Sequence, residues 1–111
     1  MKILIVDEDP KDADLIKTKL GYKHIYFEAR NLIEGLGKAI KKRPGIAIID
    51  INRRNGNDLL LAKEYQVAIG RKIGRVYIIS NYVEPQWIQD IQVDGVYKKS
   101  DLENLKRALE K

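Results

Sequence analysis

The chain has 111 residues, no cysteine and 33% charged residues, with 21 Lys and Arg against 16 Asp and Glu and a formal net charge of +5. That length suits one domain able to bury its own core, the lack of cysteine argues against a disulfide-stapled secreted scaffold, and no apolar stretch approaches the ~18 residues of a membrane-spanning helix. The positive surplus is dispersed, without aromatic–basic interleaving or a nucleic-acid motif, so it reads as a solvated surface and nucleic acid is not an expected partner.

Ile3-Leu4-Ile5-Val6 has the length and branching of a buried strand and ends in Asp7-Glu8-Asp9-Pro10. It is too short for a signal peptide and leads into acid, so the expected location is the cytoplasm. Asp9 as N-cap and Pro10 at the first helical position open a helix over residues 11–20. There Ala13, Ile16 and Leu20 share a face, and Lys17 can lay its stem along it. A second strand is expected over 24–27. Asn31 can cap a second helix over 32–42, which Gly35 and Gly37 weaken.

Pro44-Gly45 marks the turn into a third strand over 45–51, where Ile46-Ala47-Ile48-Ile49 ends in Asp50. A third helix is expected over 58–69, a fourth strand over 76–79 and a fourth helix over 84–92, with Trp87 on its apolar side. Asp94-Gly95 marks the turn into a short fifth strand over 95–97. Ser100-Asp101-Leu102-Glu103 reads as a capping box for a last helix.

Strands alternating with helices imply an α/β fold: a five-stranded parallel sheet with helices on both faces and right-handed crossovers. Two strands then end in acid at the carboxyl edge, where open parallel sheets bind ligands. Asp7, Glu8 and Asp50 gathered there repel one another unless a cation sits among them. A divalent metal beside phosphate chemistry is the expectation. No His or Cys cluster points to zinc instead.

Four segments, in order, carry a resemblance: Ile5-Val6-Asp7-Glu8-Asp9-Pro10, Ile48-Ile49-Asp50-Ile51-Asn52, Ile78-Ile79-Ser80 and Gly95-Val96-Tyr97-Lys98-Lys99. Over essentially its whole length the chain resembles a response-regulator receiver domain of the two-component systems, of the chemotaxis-regulator type. The resemblance implies a flavodoxin-like sheet of order 2-1-3-4-5. It also implies a phosphoacceptor, Asp50, and a Mg²⁺ site made by Asp7, Glu8, Asp50 and the backbone carbonyl of Asn52. Ser80 would donate to a phosphoryl oxygen, and Lys99, in preference to Lys98, would pair with the phosphate. Side chains alternate along a strand, so only one of those two lysines can face the pocket.

Several positions depart from the pattern of such domains. Asn81 stands where a small residue is usual, narrowing access. Tyr82 follows, and its ring can exclude the attacking water, so slower phosphoryl loss than in a Tyr82→Ala variant is expected. Arg54 replaces a common proline and can guide an anionic donor or point into solvent. Val96 stands where relatives carry the aromatic residue of the signalling switch, while Tyr97 falls on the opposite face of its strand. Ser100 replaces the proline that often follows the lysine.

The expectation is a single receiver domain over residues 1–111, without an output domain. It would be a phosphoacceptor with self-catalysed transfer and slow autodephosphorylation rather than a turnover enzyme. Its partners would be a histidine kinase or phosphotransfer protein. A downstream protein would dock on the face formed by the fourth helix, fifth strand and last helix, with the chain itself a monomer or weak dimer. The alternative is a pseudo-receiver, an interaction module that is not phosphorylated. A small metal-dependent phosphohydrolase is disfavoured, since no added general acid or substrate cap is visible.

Overall fold

The computed structural model describes residues 1–50, 74–80 and 93–110. In chain order they form β1 (Lys2–Val6), α1 (Pro10–Leu20), β2 (Ile25–Ala29), α2 (Leu32–Lys42), β3 (Ile46–Asp50), β4 (Arg75–Ser80) and β5 (Gly95–Lys98). A 3₁₀ turn, Lys99–Asp101, leads into α3 (Leu102–Leu109). The five strands make one parallel sheet of order β2-β1-β3-β4-β5, as expected. The expected helices over 58–69 and 84–92 lie outside the described residues. So do Asn52, Arg54, Asn81, Tyr82 and Trp87.

Alternation along each strand sorts the side chains into two rows. Leu4, Val6, Ala47, Ile49, Val76 and Ile78 face the α2 side, where Ala39 is buried and Leu32 and Leu36 pack. Ile3, Ile5, Ile46, Ile48, Tyr77 and Ile79 face α1 and α3, meeting Ala13, Ile16, Leu20, Leu105 and Leu109. Burying each large aliphatic side chain in these layers is worth about 1.5–3 kcal/mol.

The helix ends follow the local chemistry. Asp9 caps α1 by accepting from the Lys11 N–H at 2.9 Å. Asn31 caps α2 by accepting from the Glu34 N–H at 2.8 Å, and the Glu34 carboxylate reaches back to the Arg30 N–H at 3.3 Å. This reciprocal pair and the packing of Leu32 and Leu36 offset the two glycines. The helix α2 ends at Arg43, whose φ of 48° is left-handed.

The Ser100–Glu103 capping box expected before the last helix does not form, because Ser100 lies inside the 3₁₀ turn rather than at the cap position. The residue at the cap is Asp101, which makes no side-chain cap; its carboxylate accepts from the Asn104 amide at 2.9 and 3.0 Å instead. At the other end, Arg75 donates to the carbonyls of Ala108 and Leu109 at 3.1 and 3.4 Å, closing the carboxyl end of α3 onto β4.

β2 starts one residue later than expected and runs two further. The Ile25 N–H donates to the Met1 carbonyl at 2.9 Å, and the pairing continues to Val6 opposite Ala29. As an edge strand it tolerates a polar residue: Glu28 accepts from Lys17 at 2.6 Å and from Arg30 at 2.8 Å. Among the described residues no peptide bond is cis, so the Lys99–Ser100 bond is trans.

Candidate functional site

The two rows decide what meets at the carboxyl edge. Asp7 continues the row of Ile3 and Ile5, and Asp50 the row of Ile46 and Ile48. Both therefore face α1 and α3. Lys99 follows Tyr97 by two residues, and Tyr97 packs on the same side. Lys98 alternates outward and is exposed. The alternation thus brings Asp7, Asp50 and Lys99 together and excludes Lys98.

The side chains of Asp7 and Asp50 are 0% and 1% exposed. Lys99 Nζ lies 2.8 Å from Asp50 Oδ2, 2.7 Å from Asp12 Oδ2 and 3.8 Å from Asp7 Oδ2. Asp7 Oδ1 accepts from the Asp9 N–H at 3.0 Å, while its buried Oδ2 accepts no hydrogen bond among the described residues. Arg30 donates to the Asp7 carbonyl at 3.1 Å, tying the turn after β1 to the end of β2.

Burial pushes the Asp50 carboxyl up to about 7; Lys99 opposes this and the Asp7 charge adds to it. Burial likewise raises Asp7, against the Asp9 N–H and Lys99. Burial alone would lower Lys99, but its hydrogen bonds to Asp12 and Asp50 and the nearby charges hold it above the ordinary lysine range. The pocket keeps its ammonium charged and burial holds both acids above the ordinary carboxylate range.

Among the described residues, the acids whose oxygens lie within 4.8 Å of one another are Asp7, Asp12 and Asp50. Glu8 follows the inward-facing Asp7, alternates outward and is exposed. Converging carboxylates and a buried, hydrogen-bond-free Asp7 Oδ2 form a donor set that fits a hard divalent cation. Asp12 was not singled out from sequence. The available signal was its place on the first turn of α1, three residues past the Asp9 cap, on a helix that packs over the Asp7 row.

The fold is matched in solved structures. These include a CheY-like response-regulator receiver domain from Methanospirillum hungatei, with a TM-score of 0.82 and 19% identity over 98% of this chain and 90% of that one. Chemotaxis protein CheY4 of Vibrio cholerae gives 0.82 and 21%, over 98% and 95%. The N-terminal domain of a response regulator from Carboxydothermus hydrogenoformans gives 0.75 and 22%, over 99% and 91%. The chain has the receiver fold. No protein-family model matches the sequence, and no curated protein does.

Within the receiver fold the remaining candidates separate. Ser80 ends β4 fully buried, one residue beyond the Asp50–Ile79 pair, and continues the row of Val76 and Ile78 rather than that of Asp50. Val96 packs on the α2 side. Tyr97 packs on the α1 and α3 side, its ring 6.2 Å from Tyr77. Gly95 leaves room for that ring: a Cβ there would sit 2.7 Å from Tyr97 Cε2. His24 precedes β2 at the opposite end of the sheet, edge-on to Tyr26, away from the acids.

Proposed function

We propose that the chain is a stand-alone receiver that takes a phosphoryl group on Asp50 from a histidine kinase or phosphotransfer protein, with Mg²⁺. The observation that carries this is the Lys99–Asp50 ion pair of 2.8 Å beside buried Asp7, at the carboxyl edge of a receiver-type sheet. An Asp50 carboxylate oxygen attacks phosphorus. A P–O bond forms, the P–N bond to the donor imidazole breaks, and the imidazole leaves with the electron pair and takes up a proton.

Each residue has a task in that transfer. Asp50 reacts as its ionised form, which Lys99 favours by direct contact. Mg²⁺, held by Asp7, Glu8, Asp50 and the Asn52 carbonyl, would offset the negative charge of the attacking and transferring oxygens. Glu8 would turn inward to join it. Lys99 then pairs with the phosphoryl oxygens, and Ser80, on the opposite strand row, would turn its hydroxyl towards Asp50 at the strand end to donate to them.

The added charge, about −1.5 to −2, re-pairs these groups and changes the surface offered to a partner protein. Val96 in the usual aromatic position means that the relay differs from the ring-swing of related domains. Asn81, Tyr82 and Arg54 would tune access and lifetime. The structural neighbours include a chemotaxis protein, a two-component response regulator and a DNA-binding response regulator. By analogy, the output is a phosphorylation-dependent contact with another protein.

Intact mass after incubation with Mg²⁺ and acetyl phosphate tests the reaction. One phosphoryl addition that disappears in Asp50→Asn is the expected result. No addition with acetyl phosphate or a phosphorylated phosphotransfer protein, together with no Mg²⁺ binding, replaces this function with the pseudo-receiver.

A further inference from the structure

Besides its place among the acids that could meet a cation, Asp12 contacts the Lys99 ammonium at 2.7 Å, as close as the 2.8 Å contact of Asp50. It is not needed as a cap, because Asp9 already accepts from the Lys11 N–H. An acid in a first turn gains from the helix dipole wherever it points, but this carboxylate is two-thirds buried and turned onto the ammonium. It also stands on an anchored element. Lys19 pairs with Glu103 of α3 at 2.5 Å, and Lys17 with Glu28 of β2 at 2.6 Å. Beside the pair lies a cavity of about 50 Å³ lined by Asp12, Leu15, Ile16, Ile79, Lys99 and Leu102. The Lys99 stem borders this open space.

We propose that Asp12 is a positioning residue: a second acceptor on α1 that holds the Lys99 ammonium and competes for it with Asp50 and with any anion carried on Asp50. The same ammonium touches both carboxylates, so a shift towards one is a shift away from the other. The consequence for signalling rests on the receiver function proposed above: a phosphoryl group on Asp50 has to draw Lys99 away from Asp12. Asp12 then sets how far Lys99 moves, and its carboxylate loses a partner on α1 as the group arrives.

The test is lysine labelling of the full, unphosphorylated chain, without Mg²⁺, by an amine-reactive N-hydroxysuccinimide ester, with peptide mass mapping. Exposed Lys2 serves as the internal standard. Only the free amine reacts, so loss of an ion-pair partner worth about one pKa unit raises the rate at Lys99 about tenfold. Asp12→Asn is expected to raise Lys99 labelling relative to Lys2 by about three- to tenfold, and Asp12→Glu to restore it to within about twofold. An unchanged Lys99 rate in Asp12→Asn overturns the assignment. So does a rise shared by all lysines, which would report general loosening, or an equal rise in Asp12→Glu. No phosphodonor is present, so a chain that never accepts a phosphoryl group still decides the role of Asp12. Phosphorylation of Asp50 with Lys99 labelling unchanged in Asp12→Asn would refute the positioning role and leave the receiver function standing.

Discussion

The Lys99 ammonium stands 2.8 Å from Asp50 Oδ2, against a carboxylate whose side chain is 1% exposed. Removing it leaves two buried acids facing each other. Lys99→Met is therefore expected to cost about 3–5 kcal/mol at pH 8, where both acids are driven to ionise. At pH 5 the loss shrinks, because the raised Asp7 and Asp50 can hold protons instead. Urea unfolding of both proteins at the two pH values checks this; equal losses at both would contradict it.

The same acids set a pH slope in the metal-free protein. Burial raises Asp50 from 3.8 to about 7, and raises Asp7 as well. Between those values the native state holds protons that the unfolded chain has released, so unfolding free energy falls as pH rises from about 4 to about 7. The Asp50 share is of order 2–4 kcal/mol. Asp50→Asn should flatten the slope and leave the protein more stable than wild type at pH 8. Glu28 works the other way. Its pairing with Lys17 holds it below the usual range, so its stabilisation is lost as pH falls through that lowered value. A thermal melt series from pH 3 to 9 separates the two limbs.

Strand positions and the acids Asp7 and Asp50 at two strand ends were legible in the sequence because apolar runs and their punctuation are local patterns. The sheet order and the choice of Lys99 over Lys98 came from the resemblance to receiver domains; alternation alone says only that one of the two lysines faces the pocket. Asp12 was not legible, since recognising it requires knowing which sheet face α1 covers and how its first turn sits over β1. The outward Glu8 and the failure of the Ser100–Glu103 capping box were hidden too. Each depends on a backbone direction at a strand end or in a 3₁₀ turn, where residue type alone leaves the geometry open.

Arg43 ends α2 with φ 48° and ψ 59°, a left-handed conformation that costs an L-residue roughly 1–2 kcal/mol. Its side chain is exposed, so little packing is at stake. Arg43→Gly removes the steric cost and adds unfolded-state entropy of about 0.4–1 kcal/mol. A net gain near 0.5 kcal/mol is expected, read as a higher urea midpoint at unchanged slope. Arg43→Val, branched at Cβ, should move the midpoint the opposite way.

A divalent cation should reverse the pH penalty. Among the described residues, Asp7 Oδ2 is buried without a hydrogen bond, and the Asp7, Asp12 and Asp50 oxygens lie within 4.8 Å of one another. At pH 8 these groups carry the charge that a hard cation neutralises. Mg²⁺ at ten times its Kd should then stabilise the fold by about 1.4 kcal/mol, raising Tm in proportion. The gain should shrink towards pH 5, where protons compete for the same oxygens. Asp7→Asn should abolish it, while Glu28→Gln, which alters an acid outside the pocket, should leave it in place. A Mg²⁺-dependent Tm shift that survives Asp7→Asn would put the cation elsewhere on the protein.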